Sequence, residues 1–321
     1  MLNALDGDRY RWNGFTRAGD LFFAVTLGLY PNRRVMNAAV SVLRGGLQYV
    51  VRGSRSAPDE PTDLRAGPIS IEVLEPLRSV RLSIAPNPHE IAGELVFRAR
   101  TEPPEEPLHP QFGTWDGWLA VGAERIKLDA SHVLGTHDRY FGTDSVFERE
   151  TTSGPTPAPQ VSWLWAPVHF ADLCTHFQIA EDAAGHTSSS YGAIVPLLST
   201  GGPPEVMASV HHSVQWETGT RRALSATLTL VPLEGEPHQL ELEPLLTFSM
   251  RGVGYGDPES GDDMKQGEDA TSGELIRPAE IDPMEPRHLH VQQLCRVRMG
   301  ARVGYGALEQ LVIGAQAFAF E

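Results

Sequence analysis

The sequence predicts an all-β protein made of two tandem antiparallel β-barrels. Three observations carry this. Apolar and polar residues alternate with period two along most of the chain, while helical periodicity is hard to find. Gly, Pro, Asn and Asp clusters cut the apolar runs at short intervals, as hairpin turns do. The pattern then restarts after a proline-rich stretch at residues 150–160. A length of 321 residues exceeds one ordinary core, and 41% hydrophobic with 21% charged residues is a soluble globular composition.

The first half reads as a meander. Leu21 to Tyr30 is a continuous apolar run suited to a buried strand, and Val35 to Leu43 returns after the turn Pro31-Asn32-Arg33-Arg34. Leu47 to Val51 follows the turn Arg44-Gly45-Gly46, and residues 52–68 are polar and proline-rich enough to be a loop. Ile69, Ile71 and Val73 alternate with polar neighbours, as do Val80, Leu82 and Ile84. Glu90 to Arg100, Trp115 to Val121 and Arg125 to Asp129 are further strands, with an exposed connection from Thr101 to Pro110. With Gly135 to Gly142 they complete a set of about nine.

The second half repeats the style. Ser162 to Phe170, Leu173 to Ile179, Ser189 to Leu197, Val206 to Trp216, Ala223 to Val231 and Gln239 to Met250 read as strands. His288 to Val303 and Leu308 to Phe320 close the chain. Residues 256–286 are acidic and rich in Gly, Pro, Ser and Asp, and are expected to be a mobile insertion without a strand. Each half opens on an aromatic-rich hairpin and ends on a Gly-aromatic-Gly strand end, Gly135 to Gly142 and then Gly304-Tyr305-Gly306. The expected domains are residues 1–155 and 156–321, each a closed or nearly closed barrel able to hold one small apolar ligand.

Bulk properties exclude several functions. A net charge of -15 argues against nucleic acid and anionic membranes as partners. Cys174 and Cys295 lie in apolar runs and are expected to be reduced core thiols. The N-terminus lacks a basic or apolar leader pattern, and no apolar run approaches the length of a membrane span, so a cytoplasmic location is expected. No Gly-x-Gly-x-x-Gly, Gly-x-x-x-x-Gly-Lys-Ser/Thr or Gly-x-Ser-x-Gly motif occurs, so the expectation is chemistry without a nucleotide cofactor and without a serine nucleophile.

The densest chemistry lies in Gly135-Thr136-His137-Asp138-Arg139-Tyr140-Phe141-Gly142. As a strand it puts Thr136, Asp138 and Tyr140 on one face and His137, Arg139 and Phe141 on the other. The ordinary alternative to a catalytic role is a buried Asp138–Arg139 pair that fixes a strand end. His169, Asp172 and His176 form a second constellation able to supply a base, or metal ligands if a tight turn gathered them. His288 and His290 would share a strand face, without a third ligand in view, so no metal site is assigned.

Taken with Tyr30-Pro31-Asn32-Arg33, Asn87-Pro88-His89, Trp165-Ala166-Pro167-Val168-His169-Phe170 and Gly304-Tyr305-Gly306, that motif resembles the carotenoid 1,2-hydratase (hydroxyneurosporene synthase) and AttH-like superfamily, in an uncharacterised bacterial branch. The resemblance implies tandem lipocalin-like barrels, and a superfamily that includes hydratases of isoprenoid double bonds and pericyclases. The family motif usually ends in Trp-Gly where this chain has Phe141-Gly142.

Hydrating an alkene needs an acid to protonate carbon, aromatic walls for the cation and a base to deliver water. A carboxyl in a dry pocket can stay protonated near neutral pH. Asp138 is the expected acid, oriented by Tyr140, with His137 and Arg139 holding the strand from outside. His169 is a candidate base, and Glu309 a second carboxylate at the place matching Asp138 in the repeat. Trp115, Trp163, Trp165, Phe141 and Tyr305 are candidate substrate walls, although aromatics in such strands are most often core. The expected function is a cofactor-independent hydratase, dehydratase, isomerase or cyclase acting on a terpenoid- or polyketide-like molecule. The alternative is a lipocalin-like protein that only shelters such a ligand. A pure interaction module is favoured if the barrels are filled by side chains.

Overall fold

The period-two patterning is realised as strands throughout the computed structural model, which describes residues 7–30, 34–60, 62–105, 109–142, 161–254 and 270–314. The only helical element among them is a single 3-10 turn at Pro286–His288. The chain divides into two compact units, residues 1–148 with 251–280 and residues 149–250 with 281–321.

The first unit holds β1 (Gly7–Thr16), β2 (Leu21–Tyr30), β3 (Val35–Arg44), β4 (Leu47–Ser56), β5 (Leu64–Ala66), β6 (Ile69–Glu75), β7 (Ser79–Ile84), β8 (Ile91–Ala99), β9 (Gln111–Val121), β10 (Glu124–Leu128), β11 (Val133–Gly142) and, from the second half of the sequence, β19 (Ala270–Ile276). They form one antiparallel sheet ordered β19-β4-β3-β2-β1-β11-β9-β8-β7-β6-β5, with β10 on β9. The sheet curls until β5 lies against β4. A Cβ on Gly53 would fall 2.1 Å from the Ala66 carbonyl oxygen, so only glycine permits this approach.

The second unit holds β12 (Val161–His169), β13 (Leu173–Glu181), β14 (Thr187–Pro196), β15 (Glu205–Val206), β16 (Ser209–Trp216), β17 (Ala223–Val231), β18 (His238–Ser249), β20 (His290–Met299) and β21 (Arg302–Ile313). Their order is β15-β14-β13-β12-β21-β20-β18-β17-β16. The ends of this sheet meet as well. The Met207 amide donates to the Gly192 carbonyl at 2.9 Å, and His212 Nε2 lies 3.1 Å from a Glu181 carboxylate oxygen.

Each unit wraps an apolar core. In the first, Trp12, Phe23, Val25, Leu27, Phe97, Trp115 and Leu119 interlock. In the second, Leu164, Ala166, Val168, Phe177, Leu228, Leu240, Val297 and Leu308 do so. Both cysteines are buried thiols outside any disulfide.

Several expectations are corrected. The segment 256–286 is not strand-free: Ala270–Ile276 pairs with β4 along its whole length, while residues 255–269 lie outside the described residues. The loop expected at 52–68 contains the end of β4 and all of β5. Gly7–Thr16, not anticipated as a strand, is the central strand between β2 and β11. Val206 to Trp216 is broken into β15 and β16. His288 to Val303 is not one strand: the chain turns at Gly300, in the left-handed region at φ 58°, and Gly304-Tyr305-Gly306 lies near the start of β21 instead of at a strand end. The interdomain stretch 150–160 lies outside the described residues.

Candidate active site

Register decides which side chains share a face. In the first unit Arg11 stands opposite Asp138 and Trp12 opposite His137. Directly opposed residues lie on one face of the sheet. Trp12 belongs to the apolar core, so it brings His137 to that side and leaves Asp138 with Arg11 on the other. The expected facing of the motif is therefore inverted.

On that other face the Arg11 Nε donates to both Asp138 carboxylate oxygens, at 3.0 and 3.1 Å. Both residues are buried. A guanidinium against both oxygens is an arrangement that favours an ionised carboxylate. Asp138 does not pair with Arg139, whose guanidinium goes to Asp8 and covers the Tyr10 ring. Asn13 Oδ1, on the Asp138 face, accepts from the Thr136 amide and hydroxyl at 2.8 and 2.9 Å. The backbone of Tyr140 and Phe141 runs opposite Arg9 and Asp8 in β11, but their side chains lie outside the described residues. Trp115 is core: its indole N–H donates to the Asn13 carbonyl at 2.8 Å, and it meets Phe23 and Phe97 edge-on.

The second unit gathers most of its candidates on one face. On the side of the sheet away from the core, register sets out cross-strand rows. One runs Gln292, Glu309, Trp165, Gln178, Tyr191 across β20, β21, β12, β13 and β14. A neighbouring row holds His290, Leu311, Trp163 and Ala180, and a row on the other side sets Pro167, His176 and Ala193 abreast. One row further lie Arg296, Tyr305, His169 and Cys174.

Glu309 is fully buried at 0% exposure. One carboxylate oxygen lies 3.0 Å from His290 Nε2, and the other accepts from the Gln292 amide at 2.5 Å. Trp165 stands opposite Glu309 and meets the His176 ring edge-on, and His176 in turn lies against Tyr191. His176 and Trp165 are buried, whereas Trp163, Tyr191 and Tyr305 keep partly exposed edges on the same face. His290 and Gln292 were not singled out as partners of a carboxylate. Their spacing of two, on a strand beside that of Glu309, was the available signal.

Other candidates are not assembled. His169 is buried with its Nδ1 4.0 Å from the Cys174 sulfur, but it stands opposite Tyr305, four residues along β21 from Glu309. At about 3.3 Å per residue this is roughly 13 Å, too far to share a proton. Asp172 does not join His169 and His176, since it is exposed and held by Arg302 in a two-pronged pair. His288 lies in the 3-10 turn and His290 in β20, so they do not share a strand face. Among the described residues no group of three His, Cys, Asp or Glu side chains is arranged to hold a metal ion, and no helix is long and apolar enough to cross a membrane.

Solved structures share this architecture. A protein assigned as AttH from Nitrosomonas europaea superposes with TM-score 0.58 at 13% identity, over 97% of this chain and 94% of that one. Kievitone hydratase from Nectria haematococca gives 0.55 at 14% identity, over 97% and 90%. CghA, crystallised with Sch210972, gives 0.53 at 10% identity, over 98% and 90%. The fold is thus the tandem lipocalin-like fold of AttH-like proteins. No curated protein matches the chain in sequence. A family model covers residues 3–319, and the chain belongs to that family, the family of unknown function DUF8625.

Proposed function

We propose that the protein is a cofactor-independent acid–base enzyme acting on an apolar, terpenoid- or polyketide-like molecule, with its proton chemistry at the Glu309–His290 pair. The observation that carries this reading is a carboxylate at 0% exposure, bonded to an imidazole and an amide and faced by Trp165. A carboxylate and an imidazole within hydrogen-bond distance have the geometry to pass a proton between them. The fold's likeness to kievitone hydratase supports a hydratase class.

In hydration the pair gives its proton to one alkene carbon, and the π electrons form that C–H bond. The other carbon becomes cationic against the faces of Trp165 and its aromatic neighbours. Water adds to the cation through its oxygen and returns one proton to the pair, so the protein ends unchanged. Isomerisation or cyclisation follows the same first step, with loss of a different proton or attack by a second double bond. Asp138 is not the acid in this reading, because the Arg11 guanidinium lies against both of its carboxylate oxygens.

The test screens isoprenoid and polyketide alkenes for a mass change of one water or for isomerisation, and then compares Glu309→Gln with Asp138→Asn. Loss of general acid catalysis costs about 10²–10⁴ in rate, so Glu309→Gln should fall by that amount with binding little changed. Wild-type turnover by Glu309→Gln sinks the assignment. A compound that binds but is never transformed favours the sheltering protein instead.

A further inference from the structure

Where the β20–β21 turn meets the starts of β13 and β18, the second barrel has an open mouth with a cavity of about 690 Å³, the size of a small-molecule site. Register fixes which side chains point into it. Directly opposed strand residues share a face, and so do residues two apart on one strand. Leu230 and Leu240 belong to the core, and His238 stands opposite the first and two residues before the second. Met299 is a core residue, and Arg302 stands opposite it. Leu173 and Ile194 pack against the core, and Glu205 stands opposite Ile194. Leu173, Ile194 and Met299 therefore make an apolar floor, and Glu205, His238 and Arg302 stand over it from β15, β18 and β21. The charges at this rim are not balanced. Arg302 holds Asp172 in a two-pronged pair, and Arg298, the other arginine of the lining, lies 3.9 Å from Glu241. Each arginine thus has a carboxylate of its own. Glu205 is in no ion pair among the described residues, which leaves one carboxylate in the cavity without a cation.

We propose that this mouth binds a small amphipathic cation, an alkyl chain that carries one ammonium group. The chain lies on Leu173, Ile194 and Met299 and takes their apolar surface out of water. The ammonium only donates hydrogen bonds and an ionised carboxylate only accepts them, so the head answers Glu205. A carboxylate head would meet Glu205 as a like charge, and would have to draw Arg302 away from Asp172 to find a partner. An alcohol head would fill the same space and leave the charge of Glu205 uncompensated. Glu309 lies further along β21 and on its other face, so this site is separate from the acid–base pair and stands or falls alone.

The experiment titrates the full chain, ¹³C-labelled at its methionine methyl groups, with n-hexylamine at neutral pH. Separate titrations use 1-hexanol and hexanoate, which keep the alkyl chain and change the head. The Met299 methyl resonance reports on the floor and is assigned from its loss in Met299→Leu. Hexylammonium should shift that signal saturably and bind about five-fold more tightly than hexanol, the factor set by one ion pair at the upper end of the exposed range. Hexanoate should bind most weakly. Glu205 is exposed, so its substitution leaves the core intact. Glu205→Gln should bring hexylammonium down to the hexanol level without changing hexanol itself, and Glu205→Arg should make hexanoate the tightest of the three. A Met299 signal unmoved by all three compounds, equal affinity for hexanol and hexylammonium, or undiminished hexylammonium binding in Glu205→Gln overturns the proposal.

Discussion

Arg11 and Asp138 face each other across the β1–β11 ladder, and one guanidinium nitrogen reaches both carboxylate oxygens at 3.0 and 3.1 Å. They are 127 residues apart in sequence and buried together. The pair joins the first strand of the first unit to the last strand before the second. Removing one member of a buried pair typically costs roughly 3–5 kcal/mol, because the other charge stays uncompensated. Asp138→Asn and Arg11→Leu should each lower urea stability by about that amount, and Arg11→Leu with Asp138→Leu should recover most of it. Additive losses in the double variant would show that the two do not act as a pair.

Glu309 offers a different outcome. Glu309→Gln keeps the volume and one acceptor, so its urea midpoint should move less than that of Glu309→Ala, which leaves His290 and Gln292 facing a cavity. Cavity and lost bonds together predict a gap of about 2 kcal/mol or more between the two variants. Equal midpoints would mean that the carboxylate is not held as the geometry indicates.

His137 sets an acid limit on the first unit. Burial first, and then the Arg139 charge, lower its pKa from 6.5 to about 4. Tyr10 and Trp12 of β1, Phe97 of β8 and Gln111 of β9 face it, and the charge acting on it is that of Arg139, which pairs with Asp8. The folded state holds the ring neutral while the unfolded chain takes up a proton below 6.5, so ν_U exceeds ν_N between the two values. Stability from this group is therefore full above pH 6.5, falls as pH drops from 6.5 to about 4, and levels off below. The loss is roughly 3 kcal/mol. Urea melts at several pH values should show this slope, and His137→Phe should remove its share of it.

β19 closes the free edge of β4 from a distant part of the chain. Glu274 takes Arg52 and Arg251 together, and Gly273 packs so closely that a Cβ would lie 2.3 Å from the Val50 carbonyl oxygen. Gly273→Val should therefore displace β19 and expose the β4 amides between Gln48 and Ser54 that pair with it. Hydrogen exchange should accelerate there while the β12–β13 amides stay protected. Unchanged β4 exchange would mean that the edge is not guarded by β19.

The sequence by itself determined the class and much of the strand content. Where one face is apolar and the other wet, alternation is a direct record of burial, and β6, β7 and β17 were legible for that reason, whereas β2 was legible as a continuous apolar run buried on both faces. The site was legible only in part. Glu309, Trp163, Trp165, His169 and Tyr305 do share one face, because period two is local. Tertiary structure decided which face of β1 and β11 meets the core. Arg11, Asn13, Thr136 and Asp138 are buried on one side while Trp12 is buried on the other, so alternation no longer separates inside from outside. Only the register between strands more than a hundred residues apart breaks that tie, by setting Trp12 beside His137 and Arg11 beside Asp138. The same holds for β19, whose acidic, glycine-bearing surroundings have no strand signal of their own and gain one when β4 supplies the hydrogen bonds.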